Sequence, residues 1–168
     1  VNSDNFIDGD GYKDAIISAK DMAKAGSIVA LGIKPDYQAK NLGYILRKEN
    51  DVETLLPRVD FDNASSEISD CYSYEEGYLW NSGMLIFRAG DLINVVRKEK
   101  PELYAACRTA KRKVPAIRRA IRFSENVMKD IPEGSIEKLI LESYDRLKVV
   151  EAHITWKDVD NVCDIEPQ

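Results

Sequence analysis

The apolar segment at residues 27–33, SIVALGI, limits the possible folds of this chain more than any other feature. It is short and partly β-branched, which predicts a strand buried inside a sheet. Before it, apolar side chains recur at helical spacing from Tyr12 to Ala23, and Gly26 follows as a stop signal. A helix that leads into a buried strand is typical of an α/β protein.

The rest of the chain continues this alternation of helices and strands. Further strands are predicted at residues 43–47, 52–61, 78–87 and 147–154. Further helices are predicted at residues 65–76, at 91–98 with Asp91 as the cap, and from Pro101, Pro115 and Ser135. We therefore predict an α/β sheet with helices on both faces, in one domain that spans residues 1–168. In such sheets the ligand crevice lies beyond the carboxyl ends of the strands.

The composition is that of a folded domain and argues against several classes of partner. A charged share of 32% beside a hydrophobic share of 44% is typical of a globular chain and not of a disordered one. The net charge of −5 argues against attraction to nucleic acid or to an anionic membrane. The longest apolar run, residues 28–33, is too short to span a bilayer. Cys71, Cys107 and Cys163 form no CxxC pair, which favours a reducing, cytoplasmic setting over a zinc site or a disulfide framework.

Two aspartate clusters, one near each end of the chain, are candidate metal ligands. They are Asp4, Asp8 and Asp10 in VNSDNFIDGD, and Asp158, Asp160 and Asp164 in TWKDVDNVCD. A hard cation such as Mg²⁺ binds a few carboxylate oxygens together with phosphate oxygens and water. Aspartate is also common in turns and helix caps, and the spacing alone favours that structural role.

The segment GYLWNSGMLIF at residues 77–87 places Asn81, Ser82 and Gly83 directly before four large apolar residues. Gly83 allows a close approach of backbone or ligand, and the Asn81 amide can both donate to and accept from a sugar hydroxyl. A β-bulge at the entry to a buried strand would explain the same residues. The spacing alone does not separate a sugar pocket from a bulge, and both interpretations stay open.

Two other features have a structural explanation that we favour. The basic run at residues 108–122 could bind phosphate or nucleic acid, but its setting in an acidic chain with few aromatic residues nearby favours a solvated helix face. The single histidine, His153, lies in a strand pattern without a nearby Ser-His-Asp or Cys-His arrangement, which favours a core or surface role. The sequence contains no GxGxxG or GxxxxGK[ST] loop for phosphate.

Five motifs, in order, resemble those of the mannose-1-phosphate guanylyltransferases within the sugar nucleotidyltransferase superfamily. YLWNSGMLIF resembles their WNSGMF-type segment, and VNSDNFI resembles LPSDH. LGIKPDYQAKNLGYI is similar to GI-x-P…GYGYI, SIEKLILE resembles SIDYAVME, and TWKDVDNV resembles W-x-DVGSW. The resemblance covers residues 1–162 and implies a Rossmann-like mixed sheet in an incomplete, glycosyltransferase A-like nucleotidyltransferase domain.

The resemblance implies an enzyme that transfers GMP from GTP to mannose 1-phosphate, giving GDP-mannose and pyrophosphate. Such chemistry depends on positioning and on neutralisation of charge. By their positions in the motifs, Asp4 and Asp158 would hold Mg²⁺. The residues that would meet the substrate are Gly43, Asp62, Asn63, Asn81, Ser82 and Gly83.

The departures from the family pattern concern residues that handle phosphate. The family's GGxGxRLxP loop would precede Val1, so we expect upstream sequence to be missing. Asn63 stands where the family has a lysine, and asparagine brings no charge to a phosphate. Asn5 replaces a histidine, and Asp160 replaces a glycine. The alternative is therefore a non-catalytic sugar-nucleotide-binding or regulatory relative. Missing upstream strands would leave sheet edges exposed, which predicts a homo-oligomer.

We predict that the chain of 168 residues, by itself, does not convert GTP and mannose 1-phosphate, because it lacks the glycine-rich loop and the phosphate-binding lysine. The measurement is pyrophosphate release by the purified chain against a buffer control. Release above that background refutes the prediction.

Overall fold

The predicted strand at residues 27–33 forms at Ile28–Ile33 in the computed structural model of the chain, and all six of its residues are buried. The structure describes residues 5–37, 39, 42–49, 51–56, 77–113, 123–135, 139–140, 144 and 146–159. The chain divides into two units, one made of Val1–Arg88 with Arg146–Gln168 and the other of Ala89–Asp145. The single domain predicted over residues 1–168 stays a prediction.

The first unit contains, among its described residues, seven strands and one helix. They are β1 (Asn5–Asp8), α1 (Gly11–Lys24), β2 (Ile28–Ile33), β3 (Tyr44–Lys48), β4 (Asp51–Leu56), β5 (Tyr78–Ile86), β6 (Leu147–Glu151) and β7 (Thr155–Asp158). The helix and strands β2 to β6 form where the sequence predicts them, although β6 ends three residues early. The sequence does not predict β1 and β7 as strands. The helix predicted at residues 65–76 lies outside the described residues.

The strands of the first unit form a mixed sheet around β2. Strand β2 lies between β5, its antiparallel neighbour, and β6, its parallel neighbour. Beyond β5 follow β3 and then β4, both antiparallel. One register pair, Asp51 with Lys148, joins β4 to β6 and closes the ring of strands, and the two side chains form a salt bridge. Strands β1 and β7 form a separate antiparallel pair. The predicted mixed α/β fold is confirmed.

Helix α1 packs against this sheet through small side chains. Ala15, Ala19 and Ala23 recur at every fourth position and are buried, and α1 contacts β2 and β6. Gly26 follows the helix with a φ of 94°, a left-handed conformation that glycine adopts without steric cost. The stop signal read from the sequence is therefore confirmed.

All of the regular secondary structure in the described residues of the second unit is helical. Its helices are α2 (Ala89–Glu99), α3 (Pro101–Lys113) and α4 (Glu125–Met128). The prediction of Asp91 as a helix cap is wrong, because α2 begins at Ala89 and Asp91 lies in its first turn. A negative charge in the first turn still stabilises a helix through the helix dipole. Pro101 begins α3, as predicted.

The remaining helix predictions for the second unit lie largely outside the described residues. The helix expected from Pro115 falls entirely in such a segment. For the helix expected from Ser135, residues 139–140 are helical, and the Leu139 N–H donates to the Ser135 carbonyl at 3.1 Å. None of the helices in the described part of the chain has the length and apolar character needed to cross a membrane.

We expect Gly32→Ala to destabilise the sheet. A Cβ at this position would lie 2.5 Å from Leu79 Cδ1 and 3.0 Å from Val149 Cγ2, and both neighbours belong to a buried cluster. Overpacking of this kind costs about 1–3 kcal/mol. The measurement is the free energy of unfolding in urea.

Gly90→Ala in α2 is the matched control, because a Cβ there would meet no atom within 4 Å. Alanine also has the higher helix propensity, so the control should not lower stability. An equal unfolding midpoint for Gly32→Ala and the wild type would contradict the prediction.

Candidate functional site

Hydrogen bonds between β1 and β7 connect Asn5, Trp156 and Asp158. The strand register places Asn5 opposite Asp158. The Trp156 indole N–H donates to Asn5 Oδ1 at 3.0 Å, and Asn5 Nδ2 donates to Asp158 Oδ1 at 3.4 Å. Alternate residues of a strand share a face, so buried Trp156 and half-buried Asp158 lie on the same side of β7. The Asp158 carboxylate is therefore oriented by a side chain that is itself anchored on the core.

No contact in the described part of the chain joins Asp158 to another candidate metal ligand. Asp8 pairs with Thr155, three register positions along the strands and therefore roughly 10 Å away. Asp10 is exposed directly before α1, in agreement with a turn or cap position. Asp4, Asp160 and Asp164 lie outside the described residues; in the sequence, Asp4 directly precedes Asn5. Within the described ranges, no three His, Cys, Asp or Glu side chains come together as a metal site.

A β-bulge interrupts the pairing of β2 with β5 at the NSG segment. The register shifts so that one residue of β2, Leu31, faces residues 82–84 of β5. Gly83 adopts a φ of 71°, a left-handed conformation that side chains disfavour. The sequence allowed either a bulge or a sugar pocket here, and the structure shows the bulge. A bulge can re-aim the side chains beside it, so a sugar pocket at the same residues stays a prediction.

Ser82 completes the hydrogen bonding inside this bulge. Its hydroxyl donates to the Leu31 carbonyl at 2.6 Å and accepts from the Met84 N–H at 3.3 Å. Ser82 is only 2% exposed, so these bonds belong to the interior of the sheet. A role for Ser82 in substrate binding stays a prediction.

The pairing of β5 with β3 brings Asn81 to Gly43, another residue predicted to meet the sugar. The Asn81 N–H donates to the Gly43 carbonyl at 2.8 Å, and the Gly83 N–H donates to Asn81 Oδ1 at 3.0 Å. Three of the predicted substrate residues therefore share one hydrogen-bonded segment at the junction of β3 and β5. The predicted substrate residues Asp62 and Asn63 lie outside the described residues.

Tyr37, which sequence reasoning did not single out, lies next to this segment in contact with Trp80. The ring of Tyr37 meets the ring of Trp80 edge-on, with 4.6 Å between the centroids. Partial burial raises the pKa of the Tyr37 hydroxyl above its ordinary value, and Asp36, Tyr44 and Asp158 add to the increase in that order. The sequence signal that could have identified Tyr37 is the presence of an aromatic residue in the loop of the GIKPDYQ motif.

The Trp80 indole carries a buried donor. Its Nε1–H is inaccessible to solvent and has no hydrogen-bond partner in the part of the chain that the structure describes. Leaving a buried donor unsatisfied costs about 1–3 kcal/mol. Buried tryptophan N–H groups are usually paired, so this donor is an exception within the described ranges.

The remaining candidates from the sequence lie on the surface. His153 is exposed, with its Nδ1 3.7 Å from Glu151 Oε1, and Glu151 forms an ion pair with Arg47. The sequence favoured a core or surface role for the histidine, and the structure shows the surface one. In the basic run, Arg108, Lys111 and Arg112 are exposed, and the Arg108 guanidinium donates to the Tyr104 hydroxyl at 3.1 Å. These three basic side chains therefore face solvent, as predicted, whereas Ala110 is buried.

Comparisons with known proteins agree on one family. The nucleotidyl transferase family profile matches residues 1–166. A mannose-1-phosphate guanylyltransferase of Salmonella typhimurium is 33% identical over 156 residues, covering 89% of this chain and 32% of the relative. One from Escherichia coli is 31% identical over 159 residues, covering 92% of this chain and 33% of the relative. The chain thus spans about a third of the length of these relatives.

Solved structures share the fold. A mannose-6-phosphate isomerase from Helicobacter pylori superimposes with a TM-score of 0.82 at 26% identity, covering 94% of this chain and 62% of that protein. A protein from Thermus thermophilus, solved as a mannose-1-phosphate geranyltransferase, has a TM-score of 0.75 at 23% identity, covering 97% and 46%. The second likeness supports the fold alone.

We expect Ser82→Ala to destabilise the protein, because it removes the hydroxyl that donates to the buried Leu31 carbonyl. The loss of a buried partner costs about 1–3 kcal/mol. Ser18→Ala is the control, since Ser18 is exposed on α1 and alanine favours the helix. Chemical denaturation of both variants measures the difference, and equal stabilities of the two would show that the Ser82 hydroxyl does not support the bulge.

Proposed function

Because this chain belongs to the nucleotidyl transferase family, we propose that it forms the sugar side of an enzyme that transfers GMP from GTP to mannose 1-phosphate. The products would be GDP-mannose and pyrophosphate. Relatives that carry the name mannose-1-phosphate guanylyltransferase support this choice of substrates. The observation that carries the proposal is the oriented carboxylate of Asp158 on the paired strands β1 and β7.

We propose Asp158 and Asp4 as the residues that hold Mg²⁺. The donor chemistry fits, because Mg²⁺ takes one or two carboxylates from the protein and fills its other positions with phosphate oxygens and water. When bound, the ion would neutralise charge on the phosphates. The protein's own contribution is to hold the Asp158 carboxylate, through Asn5 and Trp156, in one orientation.

The sugar would lie against the segment that joins Gly43 to residues 81–83. Glycines at both ends of this segment permit a close approach of the substrate to the backbone. The Asn81 N–H is committed to Gly43, and Asn81 Oδ1 to Gly83, so the segment is rigid before a ligand arrives. Rigid placement of substrate groups is the main protein contribution to phosphoryl transfer chemistry. By resemblance, Asp62 would also meet the substrate.

A second candidate function is a non-catalytic sugar-nucleotide-binding or regulatory relative. The observation that favours it is Asn63, where the family has a lysine that would meet the sugar phosphate. An uncharged amide cannot replace a charge-assisted contact to phosphate. Such a protein would bind the sugar phosphate and release no pyrophosphate, whether alone or with a complete partner domain. The predicted homo-oligomer is compatible with either function.

We expect Asp158→Ala to abolish Mg²⁺ binding or to weaken it by at least about tenfold. Removal of a group that only supports a metal ligand already lowers metal affinity by about tenfold or more, and removal of a ligand should cost at least as much. The measurement is calorimetric titration of MgCl₂ into the chain in the presence of mannose 1-phosphate. Asp14→Ala is the matched control, because Asp14 is an exposed aspartate of α1. Binding by Asp158→Ala that equals the wild type would exclude Asp158 as a ligand.

A further inference from the structure

Tyr37 is an exposed aromatic residue that is nevertheless held in one place. Its ring centroid lies 4.6 Å from that of Trp80, with an angle of 62° between the ring planes. Tyr37 is 56% exposed, whereas Trp80 is 2% exposed. One side of the Tyr37 ring therefore rests on the core, and the rest of the side chain faces solvent.

A second contact holds the backbone close to Tyr37. The Tyr44 hydroxyl accepts from the Ala39 N–H at 3.0 Å and donates to the Ala39 carbonyl at 2.9 Å. Both of these residues are buried. This anchor fixes the backbone two residues from Tyr37 before any ligand binds. Preorganisation of this kind lowers the entropic cost of binding.

Tyr37 lies next to the residues assigned above to the sugar. Its contact residue Trp80 directly precedes Asn81, whose N–H donates to the Gly43 carbonyl. Trp80 also belongs to the same buried cluster as Trp156, whose indole anchors Asn5 beside Asp158. The Tyr37 ring therefore rests on the core that supports the proposed sugar segment.

We propose that Tyr37 contacts the substrate: its ring, which rests on buried Trp80, forms an aromatic wall for the hexose of a sugar 1-phosphate, and its hydroxyl donates a hydrogen bond to an oxygen of that ligand. An aromatic ring offers an apolar surface to the C–H face of a sugar, and the phenol adds a donor at its edge. The inference rests on the proposed function, since it adds a contact to the same site. It assigns a role to a residue outside the substrate residues inferred from the motifs.

Two substitutions separate the contributions of the hydroxyl and the ring. Tyr37→Phe removes only the exposed hydroxyl and keeps the contact with Trp80, so this variant should fold with an unchanged unfolding midpoint. Tyr37→Ala also removes the ring. Calorimetry with mannose 1-phosphate in MgCl₂ should show about threefold to tenfold weaker binding for Tyr37→Phe, the range expected for one neutral hydrogen bond, and a larger loss for Tyr37→Ala.

Tyr104→Phe is the control, because Tyr104 belongs to α3 in the second unit and lies outside the proposed site. It should bind mannose 1-phosphate as the wild type does. A parallel titration with GTP tests whether the wall serves the sugar or the base, and the affinity for GTP should be the same for wild type and Tyr37→Ala.

Two results overturn the inference alone. One is a Tyr37→Phe variant that keeps both its unfolding midpoint and the wild-type affinity for mannose 1-phosphate. The other is a Tyr37→Ala variant that loses affinity for GTP and keeps it for mannose 1-phosphate. If the wild type itself does not bind mannose 1-phosphate, both the proposed function and this inference fail. The binding of the wild type therefore distinguishes a failure of the function from a failure of the inference alone.

Discussion

The burial of strand β2 is the constraint on which the described sheet depends. All six residues of this strand are buried, and it is paired along both edges, so its backbone groups must find partners inside the protein. At Leu31 the register with β5 shifts, and the Ser82 hydroxyl donates a hydrogen bond to the Leu31 carbonyl. The NSG segment therefore supplies a hydrogen bond that the buried strand needs. On its other edge β5 pairs with β3, and this pairing places Asn81 beside Gly43.

The candidate site joins residues that are distant along the chain. Asn5 and Asp158 are 153 positions apart and meet because β1 pairs with β7. Tyr37 contacts Trp80, and the Tyr44 hydroxyl bonds to the backbone of Ala39, two residues after Tyr37. Backbone pairing and buried aromatic rings thus position the polar groups before a ligand binds. Such positioning is what a reaction with little covalent chemistry on the protein requires.

The accuracy of the sequence predictions followed the strength of the local signal. Helix α1 and strands β2 and β5 have long periodic or apolar patterns, and they form where predicted. Strands β1 and β7 have four residues each and end in aspartate, which is also typical of a turn, so the pattern does not reveal them. The cap at Asp91 was predicted wrongly because α2 begins two residues earlier, at Ala89, a boundary that composition does not define.

The sequence by itself indicated the family and the positions of helix α1 and strands β2 to β6, because each of these depends on local patterns of residue type. It could not decide between a bulge and a sugar pocket at residues 81–83, nor could it single out Tyr37. Only the tertiary structure showed the bulge opposite Leu31 and the contact of Tyr37 with Trp80. Strand register and ring contacts depend on which distant segments meet in space, and a linear pattern does not contain that information.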